Sequence, residues 1–495
     1  MDSERKPGWL SKLANEDSEE SLLPTSKKSR SMSLRQRRRI LLAACASLAV
    51  VSLLGLLLLS SWNTSHRWIQ PTLEHPNEPE TVFPDLPILN HTRQQQELDP
   101  LNPRDWLKGP PTAKFRDNLR SDVQYLTSWP NSGWTNDVIT YANLIYLALI
   151  TDRVPVLPVF VPTHIGGEVP PITFGDVFDV PRLRKELGKP VLEWREVKDE
   201  KSVEIEDIGC WSVWWTAQTG SEGPRDSVAP GLLHLDISYT KTPEWIRLVP
   251  DAPHDPHTLF WTLARFGFPE TRQENLVPPL ASPTHQHTLP PDEQMLCYDY
   301  LYYVGAQQSW EFEKDYSPVW RHVARHMHWA PRVTKLADEY VNRALGLKES
   351  EITPPYIGVH VRHNDFQDWC FEVPLHECFA TLPVIARRVQ EVKDEIFDKK
   401  GIRVEHVIMT SDERNQTWWK DVADLGWKTP DHSETKAKYG DWYPPLIDAA
   451  IQSRGLGFVG TDRSTMSVIA QRRVATWYDG VTRLVRWGTP DADDH

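Results

Sequence analysis

"YIGVHVRHND", Tyr356 to Asp365, is the stretch on which the fold turns. Its first six residues read as a buried strand. Then His360, Arg362, His363 and Asp365 crowd its end. Alternation puts His360 and Arg362 on one face, Val359 and Val361 on the other. Arg362 stands at the carboxyl end of the strand, where open α/β sheets bind ligands. An arginine there offers a phosphate two parallel hydrogen bonds, which lysine cannot match. The plain alternative is an Arg362–Asp365 pair that only steadies the loop. Position alone weighs the two readings equally.

Moving outward, strands and helices alternate. "ATLPVIARRVQEVKDEIF" reads as a helix, "VEHVIMTSD" as a strand and "PPLIDAAIQSR" as a helix. "GLGFVGT" is a strand and "STMSVIAQRRV" a helix. That order predicts a parallel sheet covered on both faces. Upstream, Val123 to Ser128 reads as a short strand. A helix follows from Thr135 to Ile150, capped by Thr135 or Asn136, with Asp137 in its first turn. "VPVLPVFV" then makes a second buried strand, completing a βαβ unit. Residues 165–310 predict strands and long loops. Residues 312–347 predict helix, with "APRVTKLADEYVNRALGL" at helical spacing. The head is thus two α/β domains, 116–340 and 341–495, with a cleft between their facing edges.

Two further strand ends in the second domain are polar. "IMTSDE" ends in Ser411 and Asp412. "FVGTDRSTMS" sets Gly460 to Thr465 where a strand hands over to a helix. Small and hydroxyl residues at a helix N-terminus suit an anion. Simple capping by Ser464 or Asp462 is the alternative.

The flanks bound the setting. The formal net charge of −13 argues against a general polyanion binder, so no nucleic-acid partner is expected. Residues 1–39 read as a disordered basic tail ending in "RQRRR". Residues 40–62, "ILLAACASLAVVSLLGLLLLSSW", carry no charge. About 20 apolar residues at ~1.5 Å each cross a bilayer core. A cleavable signal sequence would have a shorter apolar run nearer the start. The positive-inside rule makes this a type II anchor with the head in the lumen of the Golgi or endoplasmic reticulum. Residues 63–115 read as a Pro-rich stem. Cys45 falls in the span. Four cysteines remain for an oxidising lumen, with three possible pairings. Cys370–Cys378 is the first choice because the two lie close in sequence, leaving Cys210–Cys297. Asn63, Asn90 and Asn415 head N-glycosylation sequons.

The chain has no phosphate-loop, dinucleotide or nucleophile-elbow motif. Its single D-x-D string, Asp491 to Asp493, sits in a charged terminal segment, and no metal is called for.

"HVRHNDF", "SGWTND" with "DRVPVLPVFVP", "MTSDE" and "FVGTDRSTMS" together resemble the GDP-fucose protein O-fucosyltransferase family and its wider clan. The likeness spans about residues 120–480, without a matched motif in the middle. It implies a GT-B architecture: two Rossmann-like domains, with the donor held mainly by the second. It implies that Arg362 and Asn136 are catalytic, Arg362 by stabilising departing GDP. It implies that His360, Arg362, Asp365, Asp412, Ser464, Thr465 and Gly133 bind GDP-fucose. It implies no cofactor and no bound metal, and a protein or glycan acceptor. The family's glutamate near the glycine loop is missing here. Asp137, His363 and His164 are the candidate bases. Transfer of another nucleotide-linked sugar, and an inactive anchored binding domain, are the competing readings.

Overall fold

The computed structural model describes residues 99, 101–371 and 373–494. The tail, the span 40–62, Cys45, Asn63, Asn90 and most of the expected stem lie outside the described residues. Among the described residues, no helix is long and apolar enough to cross a membrane.

The first half holds strands β1 (Tyr125–Ser128), β2 (Val154–Leu157), β3 (Leu192–Glu193), β4 (Glu206–Ser212), β5 (Leu235–Lys241), β6 (Thr258–Leu259), β7 (Met295–Tyr298) and β8 (Val304–Gly305). Six form a parallel sheet ordered β3-β2-β1-β7-β4-β5, and β6 pairs with β8 apart from it. Helix α1 (Trp134–Ile150) links β1 to β2, as the βαβ reading requires. The second half holds β9 (Tyr356–Val361), β10 (His406–Ser411), β11 (Gly457–Thr461) and β12 (Val481–Val485). They form a parallel sheet ordered β10-β9-β11-β12. Its longer helices are α2 (Pro331–Ala344), α3 (Leu382–Lys400), α4 (Gln416–Asp424), α5 (Tyr443–Gln452) and α6 (Thr465–Tyr478). The fold is mixed α/β with parallel sheets.

The alternation read from the sequence decides which layer each strand residue joins. Val359 and Val361 pack with Val389 and Val392 of α3. His360, on the other face, meets Ser467 of α6. Leu126, Leu157 and Leu296 of the first sheet share one apolar core with Ile408, Ile447 and Ile469 of the second half. The halves are therefore fused through a common core, beyond the facing edges the sequence suggests. Tryptophans stitch them. Trp329 Nε1 donates to Ser453 Oγ at 2.8 Å, and Trp442 Nε1 donates to the Pro170 carbonyl at 2.8 Å. Trp477 Nε1 donates to the Arg325 carbonyl at 2.7 Å. An indole buries a large apolar face and still satisfies its one donor, which suits such a seam.

Four boundaries differ from the sequence reading. Residues 103–115, expected in the stem, belong to the head: Leu107 and Phe115 are buried in the same core as Trp194. The 312–347 helix is broken. Short turns at Pro318–His322 and Ala324–His326 precede α2, because Pro331 can only open a helix. Helix α2 sits with the second half, packed on α5 and tied by Arg454 to both oxygens of Asp338 at 2.7 and 2.8 Å. Pro331–Ala344, expected in the first domain, thus packs against the second half. Last, β12 and α4 were not expected at all.

Gly460 in β11 is fixed by packing. A Cβ there would lie 2.6 Å from the Phe458 ring and 2.7 Å from Ser467 Cβ. Gly460→Ala should cost about 1–3 kcal/mol, the usual penalty for overpacking a core. Guanidinium unfolding would show it as a lowered midpoint; an unchanged midpoint would contradict the close helix–strand contact.

Candidate functional site

Strand β9 lies between β10 and β11, and all three run parallel. Their carboxyl ends therefore share one sheet edge, which brings Arg362, Asp412 and the Thr461–Thr465 turn together. The Arg362 backbone N–H donates to Thr461 Oγ1 at 3.0 Å. Its guanidinium, about one-third exposed, has Nε 2.8 Å from Asp365 Oδ1 and Nη1 2.9 Å from Asp412 Oδ2. Both readings of Arg362 thus have a footing: it stands at the strand end, and it is paired with Asp365. Asp412 Oδ2 has no aligned hydrogen-bond donor, so the Arg362 contact is one of charge. Asp412 also shapes the loop. Its Oδ1 accepts the His363 N–H at 2.9 Å, and its carbonyl accepts Asn364 Nδ2 at 2.9 Å.

Two helix N-termini meet beside this edge. Helix α6 starts at Thr465 with Ser464 as N-cap; Ser464 is buried, yet its side chain makes no capping bond. Helix α1 starts at Trp134 with Gly133 as N-cap, which has no side chain to cap with. Thr135 and Asn136 do not cap α1; Ser464 does hold the N-cap position of α6, without a side-chain bond, and Asp462 does not. Thr135 instead points its Oγ1 at Thr465 Oγ1, 2.7 Å away. Asn136 lies half-buried in the same first turn of α1. Two dipole-positive ends without side-chain caps face one another, an arrangement that favours an anion between them. Arg463, with φ of 63°, turns the chain from β11 into α6.

His360 lines the same recess as Arg362. Its ring is buried and its Nδ1 lies 2.8 Å from Ser467 Oγ, so it pins β9 to α6. Burial first, then the charge of Arg362, pushes its pKa down to about 3. The unfolded chain takes up this proton near pH 6.5. Stability carried by neutral His360 is therefore complete above about pH 6.5 and is lost as pH falls toward 3. A His360→Gln variant should lose less stability between pH 7 and pH 4 than the native chain. Guanidinium midpoints at the two pH values test this; equal losses would remove His360 as the cause.

The three candidate bases separate cleanly. Asp137 is fully buried and its Oδ1 accepts the Ser132 N–H at 3.0 Å. Burial raises its pKa well above the usual carboxylate range. It holds the glycine loop from behind and does not face solvent. His363 has Nδ1 2.6 Å from Glu413 Oε2, and its ring packs tilted against Phe379 and edge-on to Trp418. It is engaged on the β10 side. His164 is exposed, and a Cβ on Gly133 would touch its ring at 3.7 Å. Of the three, His164 is thus the exposed one beside the loop.

Both disulfides form as expected: Cys210–Cys297 joins β4 to β7, and Cys370–Cys378 closes the loop after β9. Asn415 is exposed and caps α4, its Oδ1 accepting the Thr417 N–H at 2.9 Å. Two parts of the site escaped the sequence. Trp487, after the unexpected β12, stacks on Phe366 and Phe379 and helps wall the recess that Arg362 lines. Arg225 lies over Trp214 and Tyr300 and donates to the Asn131 carbonyl at 2.9 Å, bracing the glycine loop.

No family model matches the chain, and no curated protein matches it. Among solved structures, the chain is similar to POFUT1 in complex with GDP-fucose, at 16% identity and a TM-score of 0.45, over 73% of this chain and 98% of that one. It is similar to POFUT1 in complex with GDP at 17% identity and a TM-score of 0.46, over 74% and 99%. It is also similar to the fucosyltransferase NodZ from Bradyrhizobium, at 14% identity and a TM-score of 0.36, over 71% and 93%.

Proposed function

We propose that this chain is a glycosyltransferase that passes fucose from GDP-fucose to a hydroxyl of a protein or glycan. The observation that carries the reading is Arg362 at the carboxyl end of β9, beside the converging N-termini of α1 and α6. In the reaction, the bond from the sugar's anomeric carbon to the diphosphate breaks and a bond to the acceptor oxygen forms. Negative charge grows on the departing diphosphate. Donors fixed in advance toward that charge are usually the largest catalytic term. Arg362 and the N–H groups of the two first turns supply such donors. Ser464 and Thr465 stand at the same helix start, where phosphate oxygens would lie. The acceptor proton is assigned to His164, the exposed base beside Gly133. Two disulfides accord with a head in an oxidising lumen, held by the anchor read at residues 40–62.

The Asp365 and Asp412 contacts on Arg362 favour a second reading, an inactive binding domain in which the arginine is only structural. Calorimetric titration of the full-length chain with GDP, UDP and ADP, in chelator, separates the two. Selective GDP binding is expected. Preference for UDP would change the donor, and absence of binding by folded protein would leave the structural reading.

A further inference from the structure

At the amino ends of β4 and β5, away from the strand ends described above, a second polar cluster forms. Asp207 of β4 faces two imidazoles of the "HQH" string. His285 Nδ1 lies 2.8 Å from Asp207 Oδ1, and His287 Nδ1 lies 3.0 Å from Asp207 Oδ2. One ligand atom from each of the three residues lies within 4.8 Å of the others. We propose that Asp207, His285 and His287 form a binding site for one divalent transition ion of the zinc type.

The turn that carries the histidines is built to present them. Buried Asp236 of β5 accepts the Thr284 N–H at 2.9 Å, the His285 N–H at 2.7 Å and the Ser282 hydroxyl at 2.7 Å. Gln286 takes a left-handed φ of 58°, and its side-chain amide donates to the Ser282 and Pro283 carbonyls. That kink in a non-glycine residue aims both flanking rings at the same carboxylate. Asp236 thus fixes the His285 backbone, and its carboxylate charge stands 3.7 Å from His285 Nδ1.

The chemistry fits. Imidazole nitrogen and carboxylate oxygen bind zinc at about 2.0–2.2 Å, so neighbouring ligand atoms on a tetrahedron stand about 3.3 Å apart. The three ligand atoms, all within 4.8 Å of one another, close to that spacing by side-chain rotation. On binding, each ring carries its proton on Nε2 and turns the Nδ1 lone pair to the ion. Three protein ligands leave a fourth position for water. The site lies roughly five residues of β4 from Ser212, about 16 Å at ~3.3 Å per residue. Set between a strand and a turn at the amino ends of β4 and β5, the ion would act as a clip. It ties the proline-rich connection before β7 to the sheet. That connection already crosses β4 so closely that a Cβ on Gly209 would lie 1.9 Å from the Pro290 carbonyl oxygen.

The test uses the full-length chain, stripped by chelator and titrated with zinc(II) against a chromophoric competitor. The native chain should take up one equivalent more than His285→Ala/His287→Ala. Zinc should raise the melting temperature of the native chain and leave that of the variant unmoved. Equal uptake by both, which is adventitious binding to other surface histidines, would overturn the site. Should the double variant fail to fold, cobalt(II) on the native chain decides. An intense visible band of a tetrahedral site, lost in Asp207→Asn, supports the clip; its absence from the native chain overturns it.

Discussion

Replacing Arg362 with alanine should lower sugar transfer by at least about 100-fold while leaving the chain folded, the scale of losing one preorganised donor to a developing charge. The fold makes this a fair test. Arg362 is about one-third exposed, and its partners Asp365 and Asp412 keep contact with solvent. Losing such an ion pair costs about 0–1 kcal/mol, too little to unfold the domain. Any large loss of turnover must then come from the reaction. Arg362→Lys sharpens the test, because it keeps the charge but not the planar fork. The expected order is native well above lysine, and lysine above alanine, with GDP affinity falling in step. Retained turnover in a folded Arg362→Ala chain would assign the arginine to loop geometry. Asp412 bears on the same result. Its carboxylate holds the His363 N–H as well as touching Arg362, so its removal blurs loop order with charge and is the weaker experiment.

Much of this arrangement was legible because it is local. Apolar periodicity placed β9, β10 and β11, and the rule of carboxyl ends placed Arg362 and Asp412 at one edge. Strand alternation alone sorted His360 from Val359 and Val361. What escaped depends on contacts distant in sequence. The cap of α1 escaped because Thr135 turns toward Thr465, a residue 330 positions away. Strand β12, "VTRLV", is short, holds a charge and is half-exposed at the sheet edge, so its pattern is weak. With it went Trp487, the wall of the recess. Burial of Asp137 was equally hidden, since a first-turn aspartate usually faces water. The Asp207–His285–His287 cluster joins a strand to a turn 78 positions on, too far apart in sequence for a local pattern to pair them.

Removing the Cys210–Cys297 disulfide should be the most costly single change to stability. The bond closes a loop across 87 positions and joins the adjacent strands β4 and β7 inside the six-stranded sheet. Chain-entropy reasoning gives about 4–5 kcal/mol for a loop of that size. Both cysteines are fully buried, so alanine at each also removes packed volume. Cys370–Cys378 closes only 8 positions, for which the same reasoning gives about 2–3 kcal/mol. Its effect should appear elsewhere. It packs with Trp487 and Phe366 beside Arg362, so its loss loosens the wall of the recess. Paired alanine variants should therefore diverge. Cys210→Ala/Cys297→Ala should unfold at much lower guanidinium with nucleotide affinity unchanged while folded. Cys370→Ala/Cys378→Ala should show the smaller midpoint shift and the larger loss of GDP affinity. Equal midpoint shifts would mean that loop size does not set the cost here. Unchanged affinity in the second variant would detach the disulfide loop from the nucleotide site and leave Arg362 to act from the sheet edge alone.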